Sequence, residues 1–237
     1  MRAVVLAAGL GGRLRDHTAG LPKPLLPVAG RPLISYTLDA LAAAGVDDAI
    51  VVTGYREAAV RAGLSEAAGI PLRFATNPRY HRGASYSLAA AREACGAEPF
   101  LLVMCDHLLG EDLLGQLAAA DPADGVLVAA DSAPRPDHYV DEATRLLVED
   151  GAVRDIGKGL ESWNALDTGA FHCSPAAWEA LDAAPEDANL SDVFRTLVPS
   201  GRFRALDVTG AFWYDVDTPE DYEAAELALQ QRPAPLA

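Results

Sequence analysis

Apolar segments of strand length alternate with segments of helical periodicity from residue 2 to residue 130 of this chain. The apolar segments are continuous, as in strands that are buried on both faces, and the intervening segments are long enough to cross over the sheet. This alternation predicts an α/β fold with a largely parallel sheet and helices on both of its faces. The predicted strands cover residues 2–8, 49–53, 71–75, 100–104 and 125–130, and the predicted helices cover residues 32–44, 57–68, 85–95 and 111–120.

The pattern changes after residue 132, where segments with β character follow one another. Residues 146–156 predict a hairpin that turns at Asp150-Gly151, and residues 165–172 predict another strand. The length of 237 residues suits one domain with a full core, which we expect to cover residues 1–232, with residues 233–237 as a frayed tail. Two helix starts are predicted in this half, at Ser174-Pro175 and at Thr218-Pro219.

The charge and the cysteines exclude several classes of protein. Lys and Arg number 19 against 34 Asp and Glu, which gives a formal net charge of −15 and argues against nucleic acid and anionic membranes as partners. No segment has the length and apolar character of a membrane span, and no signal peptide is recognisable, so a cytoplasmic location is expected. The scattered residues Cys95, Cys105 and Cys173 predict neither a disulfide framework nor a zinc site.

The basic residues are distributed unevenly between lysine and arginine. Only Lys23 and Lys158 are lysines, against seventeen arginines. A lysine ammonium is a compact charge on a flexible stem, which can follow a phosphate group as its geometry changes. In so acidic a chain, an anionic ligand needs a site that is locally basic or that is neutralised by a divalent cation.

A glycine-rich turn follows the first predicted strand. Residues 9–13 read Gly-Leu-Gly-Gly-Arg and lie at the carboxyl edge of the predicted sheet, where open α/β sheets bind ligands. Consecutive backbone N–H groups there can converge on a phosphate, and Arg13 adds a guanidinium fork. Leu14 occupies the position at which a dinucleotide-binding fingerprint needs glycine, and the Gly-Lys-Ser/Thr of a Walker loop is absent.

A proline-stiffened loop presents the first lysine. Pro22 and Pro24 flank Lys23 and lower the entropy lost when the ammonium group is held in place. Together with the preceding Gly-x-Gly-x-Arg, this loop resembles the signature of the nucleotidyltransferases that make sugar nucleotides and nucleotide-activated phosphoalcohols. The resemblance implies a single Rossmann-like nucleotidyltransferase domain, with a mostly parallel mixed sheet and a small β-rich part that binds the acceptor.

The resemblance extends over nearly the whole chain and narrows the choice among these enzymes. Residues 82–88, Arg-Gly-Ala-Ser-Tyr-Ser-Leu, resemble the segment that closes over the base in cytidylyltransferases, and their Tyr-Ser-Leu differs from the Gly-Thr-Ala of sugar-specific members. Asp106-His107 ends the most apolar strand, and residues 213–221 form an acidic closing motif. These features are most similar to inositol-1-phosphate cytidylyltransferases, with phosphocholine and phosphonate cytidylyltransferases as near relatives.

The resemblance also implies roles for individual residues. Asp106 is expected to bind Mg²⁺ together with Asp215 or Asp217, which alternate along a strand and which the sequence does not separate. A structural role is expected for His107. The implied catalytic residues are Arg13 and Lys23, the implied acceptor-binding residues are Lys158, Asp167 and Gly169, and the implied nucleotide-binding residues are Leu6, Ala8, Gly9, Gly11, Gly12, Asn77, Gly83, Ser85 and Ser87.

These features lead to an expected reaction in which CMP is transferred from CTP to a small phosphorylated alcohol and pyrophosphate is released. A phosphate monoester is already mostly dianionic at neutral pH, so the transfer needs alignment and charge stabilisation rather than a general base. One alternative is a sugar-1-phosphate nucleotidyltransferase that uses another NTP. A second alternative is a regulatory protein that binds a nucleotide without catalysis.

Overall fold

The computed structural model describes residues 1–14, 20–64, 69–134 and 143–231. Its strands and helices lie close to the positions that the hydrophobic pattern predicts. The strands are β1 (Arg2–Leu6), β2 (Pro27–Val28), β3 (Arg31–Pro32), β4 (Asp48–Thr53), β5 (Leu72–Thr76), β6 (Phe100–Met104), β7 (His107–Leu109), β8 (Val126–Asp131), β9 (Arg145–Glu149), β10 (Ala152–Gly157), β11 (Ala165–Cys173), β12 (Phe203–Asp207) and β13 (Trp213–Asp215). The α-helices are α1 (Leu33–Ala43), α2 (Glu57–Leu64), α3 (Ala84–Cys95), α4 (Glu111–Ala119), α5 (Ala176–Ala183), α6 (Leu190–Arg195) and α7 (Pro219–Gln231).

A mixed sheet is the centre of the fold. Within the described residues it has nine strands in the order β5-β4-β1-β6-β11-β8-β12-β10-β9. The pairs β5–β4, β4–β1, β1–β6 and β8–β12 are parallel, whereas β11 and β10 run against their neighbours. The predicted mostly parallel mixed sheet is therefore confirmed, and so is the hairpin at Asp150-Gly151, which joins β9 to β10.

Helices cover both faces of the sheet, as the continuous apolar strands predict. Alternate residues of β1 show this division, since Val4 and Leu6 pack on the face that holds α3, α5 and α6. Ala3 and Val5 pack on the opposite face, against α1, α2 and α4. Because every residue of a central strand meets one of the two cores, the strand needs no polar position, and this explains its unbroken apolar sequence.

Several short elements and chain ends differ from the predictions or lie beyond them. The first strand ends at Leu6 rather than at residue 8, so residues 7 and 8 already lead into the glycine-rich turn at residues 9–13. The helix predicted at residues 57–68 is present to Leu64, and residues 65–68 lie outside the described residues. The predicted tail at residues 233–237 also lies outside them, and the domain boundary stays a prediction. The elements that the sequence did not predict are β2, β3, β7, α6 and β12. The strand expected to carry both Asp215 and Asp217 is β13, but it ends at Asp215, so Asp217 lies beyond it.

One sheet edge collects the carboxyl ends of the first strands. In the parallel register Leu6 pairs with Val52 on one side and with Met104 on the other, so the chain leaves β1 and β6 at the same level. The short strand β13 then pairs with β7, and this pairing brings Asp215 opposite His107. The fold thus places four widely separated stretches of sequence around one point. They are the ends of β1 and β4, the segment from β6 to β7, and β13.

The described residues include no helix that combines the length and apolar character needed to cross a membrane.

Strand β13 is anchored by a buried hydrogen bond to β8. The indole Nε1 of Trp213 donates to Oδ2 of Asp131 at 2.9 Å, and both side chains are buried. We expect Trp213→Phe to lower the free energy of unfolding by about 1–3 kcal/mol, because the carboxylate loses a buried partner. Urea denaturation measures this loss. Trp163→Phe, at a partly buried ring, is the control, and an equal loss in both variants would contradict the anchoring role.

Candidate functional site

Two adjoining cavities open at this edge of the sheet. The first has a volume of about 260 Å³ and lies over the glycine-rich turn and the start of α3. The second has a volume of about 280 Å³ and lies between β6, β10, β11 and α6. Their walls have four residues in common, so they form one continuous cleft. These shared residues are Ala84, Met104, Asp106 and Asp217.

Most residues predicted to bind the nucleotide line the first cavity together with Lys23. Asn77 and Ser85 are not in this lining: the Asn77 side chain donates to Ser87 at 3.0 Å, and the Ser85 hydroxyl donates to the carbonyl of Ala188 at 2.6 Å. Both are buried and hold the chain around the cavity. The predicted nucleotide-binding residues in the lining are Leu6, Ala8, Gly9, Gly11, Gly12, Gly83 and Ser87.

The residues predicted to bind the acceptor all lie in the second cavity. Lys158, Asp167 and Gly169 line it, and so does Asp215. Lys23 therefore lines only the first cavity and Lys158 only the second, whereas Asp106 lines both. The side chain of Arg13 lies outside the described part of the structure. The roles of these residues in binding and catalysis stay predictions.

Lys23 is buried at the junction of the two cavities. Its ammonium group donates to Asp106 Oδ2 at 2.9 Å and also to Asp217. Burial lowers the pKa of Lys23, but the carboxylates of Asp106, Asp217 and Asp215 outweigh this effect and raise the pKa above its ordinary value. The ammonium group is therefore charged at physiological pH, and the neighbouring carboxylates balance its charge. An anionic ligand would have to compete with these carboxylates for it.

The turn that precedes this lysine needs glycine at residue 11. Gly11 has φ of +59°, and a Cβ atom at this position would lie 2.9 Å from Cβ of Lys23. Both the left-handed backbone and the close approach exclude a larger residue. Gly11 therefore has a structural reason to be glycine, and it brings the backbone of the turn against the lysine.

A second cluster of charged groups surrounds His107. Its Nδ1 lies 2.9 Å from Asp106 Oδ1 and 3.9 Å from Asp215 Oδ1. Burial lowers the pKa of His107, yet the carboxylates of Asp215 and Asp106 outweigh burial and raise the pKa to about 9. Burial raises the pKa of Asp215 to about 6, and the neighbouring acids Asp106 and Asp217 add to this effect while His107 opposes it.

This cluster fits a cation. The ligand atoms of Asp106, His107 and Asp215 lie within 4.8 Å of one another. Oδ1 of Asp215 is buried and accepts no hydrogen bond from the described residues. Carboxylate oxygens are the ligands that Mg²⁺ and other hard cations prefer, and a buried oxygen that accepts no hydrogen bond can serve this purpose. Asp217, in contrast, already accepts a hydrogen bond from Lys23.

His107 is fixed by groups that the sequence did not connect with it. Its backbone carbonyl accepts from the hydroxyl of Thr37 at 2.8 Å. Gly169 has φ of +76°, and a Cβ atom there would lie 2.6 Å from Cδ2 of the imidazole. Gly169 also donates its backbone N–H to Asp167 at 2.8 Å, while burial raises the pKa of Asp167 to about 6. The Asp-Thr-Gly stretch therefore shapes the wall against which the imidazole packs.

Sequence reasoning missed several residues of the lining. Tyr80 borders the first cavity, and it packs so closely on Gly54 that a Cβ atom at residue 54 would lie 2.6 Å from Cβ of Tyr80. Phe171 and Phe194 form the floor of the second cavity, with ring centroids 5.0 Å apart. In the sequence these aromatic residues are indistinguishable from ordinary core residues. For Tyr80, the one signal that could have indicated its position is its closeness in sequence to Asn77, a predicted nucleotide-binding residue.

The family of the chain follows from its sequence similarity to known proteins. The profile of the MobA-like NTP transferase domain matches residues 3–201. The chain belongs to the MobA-like NTP transferase family. This assignment agrees with the glycine-rich turn, the buried lysine and the strand-end carboxylates that the structure brings together at one edge of the sheet.

Curated relatives of this NTP transferase include longer proteins. A "Bifunctional IPC transferase and DIPP synthase" of Rubrobacter xylanophilus is 41% identical over 231 residues, which is 94% of this chain and 51% of the relative. A "CMP-5'-(3-aminopropyl)phosphonate synthase" of Streptomyces rubellomurinus is 33% identical over 96% of this chain and 38% of the relative. The chain thus spans about half the length or less of these relatives.

Solved structures resemble the NTP transferase over nearly its full length. The inositol-1-phosphate CTP transferase from T. maritima has a TM-score of 0.85 and 25% sequence identity, with 98% of this chain and 97% of that chain covered. A UDP-glucose pyrophosphorylase from Acinetobacter baumannii has a TM-score of 0.83 at 19% identity, with 97% of this chain and 94% of that chain covered. The second likeness shows the fold alone.

The raised pKa of Asp215 predicts a stability change that depends on pH. The ionised carboxylate is disfavoured in the folded chain, so its cost is absent below the ordinary pKa of 3.8 and complete above about 6. In metal-free buffer at about pH 8, we expect Asp215→Asn to raise the melting temperature, and the gain should disappear toward pH 4.

Asp217→Asn is the matched control in the same thermal melts. It removes a carboxylate that pairs with Lys23, so the melting temperature should fall. A lower melting temperature for Asp215→Asn at about pH 8 would contradict the assigned cost of its charge.

Proposed function

We propose that this domain transfers a cytidylyl group from CTP to a small phosphorylated alcohol and releases pyrophosphate. The observation that carries the proposal is the pair of adjoining cavities, of which Lys23 lines the first, Lys158 lines the second and Asp106 lines both. A triphosphate and a phosphorylated acceptor both carry several negative charges, and a cleft that joins them needs a cation on each side. The names of the relatives and of the T. maritima structure support CTP as the donor and a phosphorylated acceptor.

The first cavity has the groups needed to hold a triphosphate. Gly9, Gly11 and Gly12 expose their backbone to it, and close backbone approach is what phosphate oxygens require. Lys23 contributes its ammonium group at the end of this cavity that faces Asp106. Its charge would be set against the negative charge that develops on the leaving pyrophosphate.

The second cavity would hold the acceptor so that its phosphate oxygen attacks the α-phosphorus in line. Lys158 is exposed at the rim, and no described residue forms an ion pair with it, so its charge is available to an incoming phosphate. The second pKa of a phosphate monoester is about 6, so the attacking oxygen needs no base. The chain's task is then to align two anions that repel each other.

A divalent cation fits the acids between the cavities. We infer that Asp106 and Asp215 would hold Mg²⁺, with His107 able to contribute or to orient Asp106, and Asp217 able to join when Lys23 moves to a phosphate. When bound, the ion would neutralise phosphate charge between donor and acceptor. Asp215 is favoured over Asp217 as the second ligand because its buried Oδ1 accepts no hydrogen bond from the described residues and lies near the ligand atoms of Asp106 and His107.

The proposal is tested by measuring pyrophosphate release from the purified protein. Each of CTP, UTP, GTP and ATP is combined with inositol-1-phosphate, phosphocholine, an aminoalkylphosphonate and mannose-1-phosphate, with Mg²⁺ or with EDTA. We expect release with CTP and a phosphorylated alcohol or phosphonate when Mg²⁺ is present, and no release with EDTA. Release only with another NTP and mannose-1-phosphate would favour a sugar-1-phosphate nucleotidyltransferase. Nucleotide binding without any release would favour a regulatory protein.

Lys23→Ala tests the donor side of the cleft. We expect kcat to fall about 100-fold or more, because a preorganised charge is lost where negative charge develops. Steady-state pyrophosphate release measures the change, and circular dichroism verifies the fold. Arg31→Ala is the control, since Arg31 is an exposed cation on β3 that pairs with Asp39 and lines neither cavity. Equal activity in the two variants would refute the role of Lys23.

Lys158→Ala tests the acceptor side. We expect KM for the acceptor to rise about tenfold while KM for CTP stays near its original value, because the lysine borders only the acceptor cavity. Arg154→Ala is a matched control on β10, the strand that ends just before Lys158, where Arg154 is exposed and pairs with Glu149. A rise in KM for CTP equal to that for the acceptor would be inconsistent with the proposed separation of the two cavities.

A further inference from the structure

The wall of the first cavity is fastened to a loop that leads to the second. The wall consists of residues 80–87, of which Tyr80, Gly83, Ala84 and Ser87 line the first cavity. The loop consists of residues 184–189 and connects α5 to α6. Helix α6 in turn contributes Leu190, Ser191 and Phe194 to the second cavity.

An ion pair with additional hydrogen bonds joins the wall to the loop. Arg82 Nε donates to Asp187 Oδ1 at 2.6 Å, and Arg82 Nη2 donates to Glu186 at 3.2 Å. The hydroxyl of Tyr86 donates to the same Asp187 oxygen at 3.0 Å, and the Arg82 guanidinium lies 4.7 Å from the centre of the Tyr86 ring. We refer to these contacts of Arg82, Tyr86 and Asp187 as the Arg82–Asp187 bridge.

The bridge lies next to Gly83, which lines the first cavity. Gly83 has φ of +108°, and its Cβ direction meets no atom within 4 Å, so it has open space on that side. Tertiary contacts are made by the residues on either side of it. Arg82 is bound to Asp187, and Ser85 donates its hydroxyl to Ala188 at 2.6 Å, so both flanks are held by the same loop.

The exposure of the bridge indicates that stability is not its main contribution. The side chains of Arg82 and Asp187 are 28% and 58% exposed. Ion pairs with this much exposure contribute little to the free energy of unfolding. Yet the side chains of Arg82 and Tyr86 both donate to one carboxylate oxygen, and Asp187 itself adopts a left-handed backbone with φ of 64°. Such an arrangement constrains geometry more than it adds stability.

We propose that Arg82 and Asp187 are positioning residues, which hold Gly83 in the wall of the nucleotide cavity and tie that wall to the helix of the acceptor cavity. The inference rests on the proposed function, since it assumes that the first cavity holds the NTP. It adds to that function a specific contact, outside both cavities, on which the affinity for the nucleotide depends.

The experiment compares the Arg82–Asp187 bridge with a different ion pair, which joins α3 to α5. Arg92 binds Asp182 in a bidentate pair at 2.6 and 2.7 Å, away from the linings of both cavities. We expect Arg82→Ala and Asp187→Ala each to raise KM for CTP about fivefold with a smaller change in kcat, whereas Arg92→Ala leaves KM unchanged. The double variant Arg82→Ala/Asp187→Ala should be no worse than either single variant, because both remove the same contact.

The outcomes separate the bridge from the proposed reaction. Equal KM values for CTP in Arg82→Ala and Arg92→Ala would overturn the bridge and leave the reaction intact. Absence of pyrophosphate release from the wild-type protein would count against the reaction instead. In that case calorimetry with each of the four NTPs gives a dissociation constant that needs no turnover. An unchanged constant in Arg82→Ala, or no binding of any NTP to the wild-type protein, would overturn the bridge. Thermal melts of all variants exclude a general loss of fold.

Discussion

A buried ammonium group held between carboxylates organises this protein. Lys23 contacts Asp106 at the end of β6 and Asp217 after β13, so one side chain joins the beginning, the middle and the end of the chain. Local features keep the lysine in this place. The backbone of Gly11 packs against Cβ of Lys23, and Pro22 and Pro24 flank it. Removing a charge from water is costly unless it is paired, and here the pairing coincides with the place where substrates would meet.

Much of the fold follows from the hydrophobic pattern, because buried strands and crossover helices are encoded in contiguous stretches of sequence. Strand β6 was predicted with the bounds that it has in the structure. The short strand β7 could not be found in this way, and neither could the end of β13 at Asp215, since strands of three residues carry no periodicity and pair only because the fold brings them together. The same limit applies to the site. Motifs identified Lys23 and Asp106, whereas the packing of His107 on Gly169 depends on tertiary contacts.

The distribution of charge reconciles an acidic chain with an anionic ligand. Most acids of the described residues lie outside the cleft. Within it, Asp106, Asp215 and Asp217 lie next to Lys23 or His107, and Asp167 accepts a hydrogen bond from the backbone of Gly169. The net charge of −15 therefore gives little information about the site itself. Local arrangement matters more than the total, because charges at a sheet edge interact over a few ångströms, whereas exposed charges farther away are screened.

Strand β11 enters the sheet between β6 and β8 in the opposite direction. The wall of the first cavity is built largely from the first hundred residues, and the wall of the second largely from residue 143 onward. Substitutions in the lining of the second cavity that leave the loop of residues 184–189 in place can reshape that cavity while the loop keeps its contacts with residues 82–86. This division offers a route by which a common nucleotide-binding framework can diversify toward different acceptors during evolution.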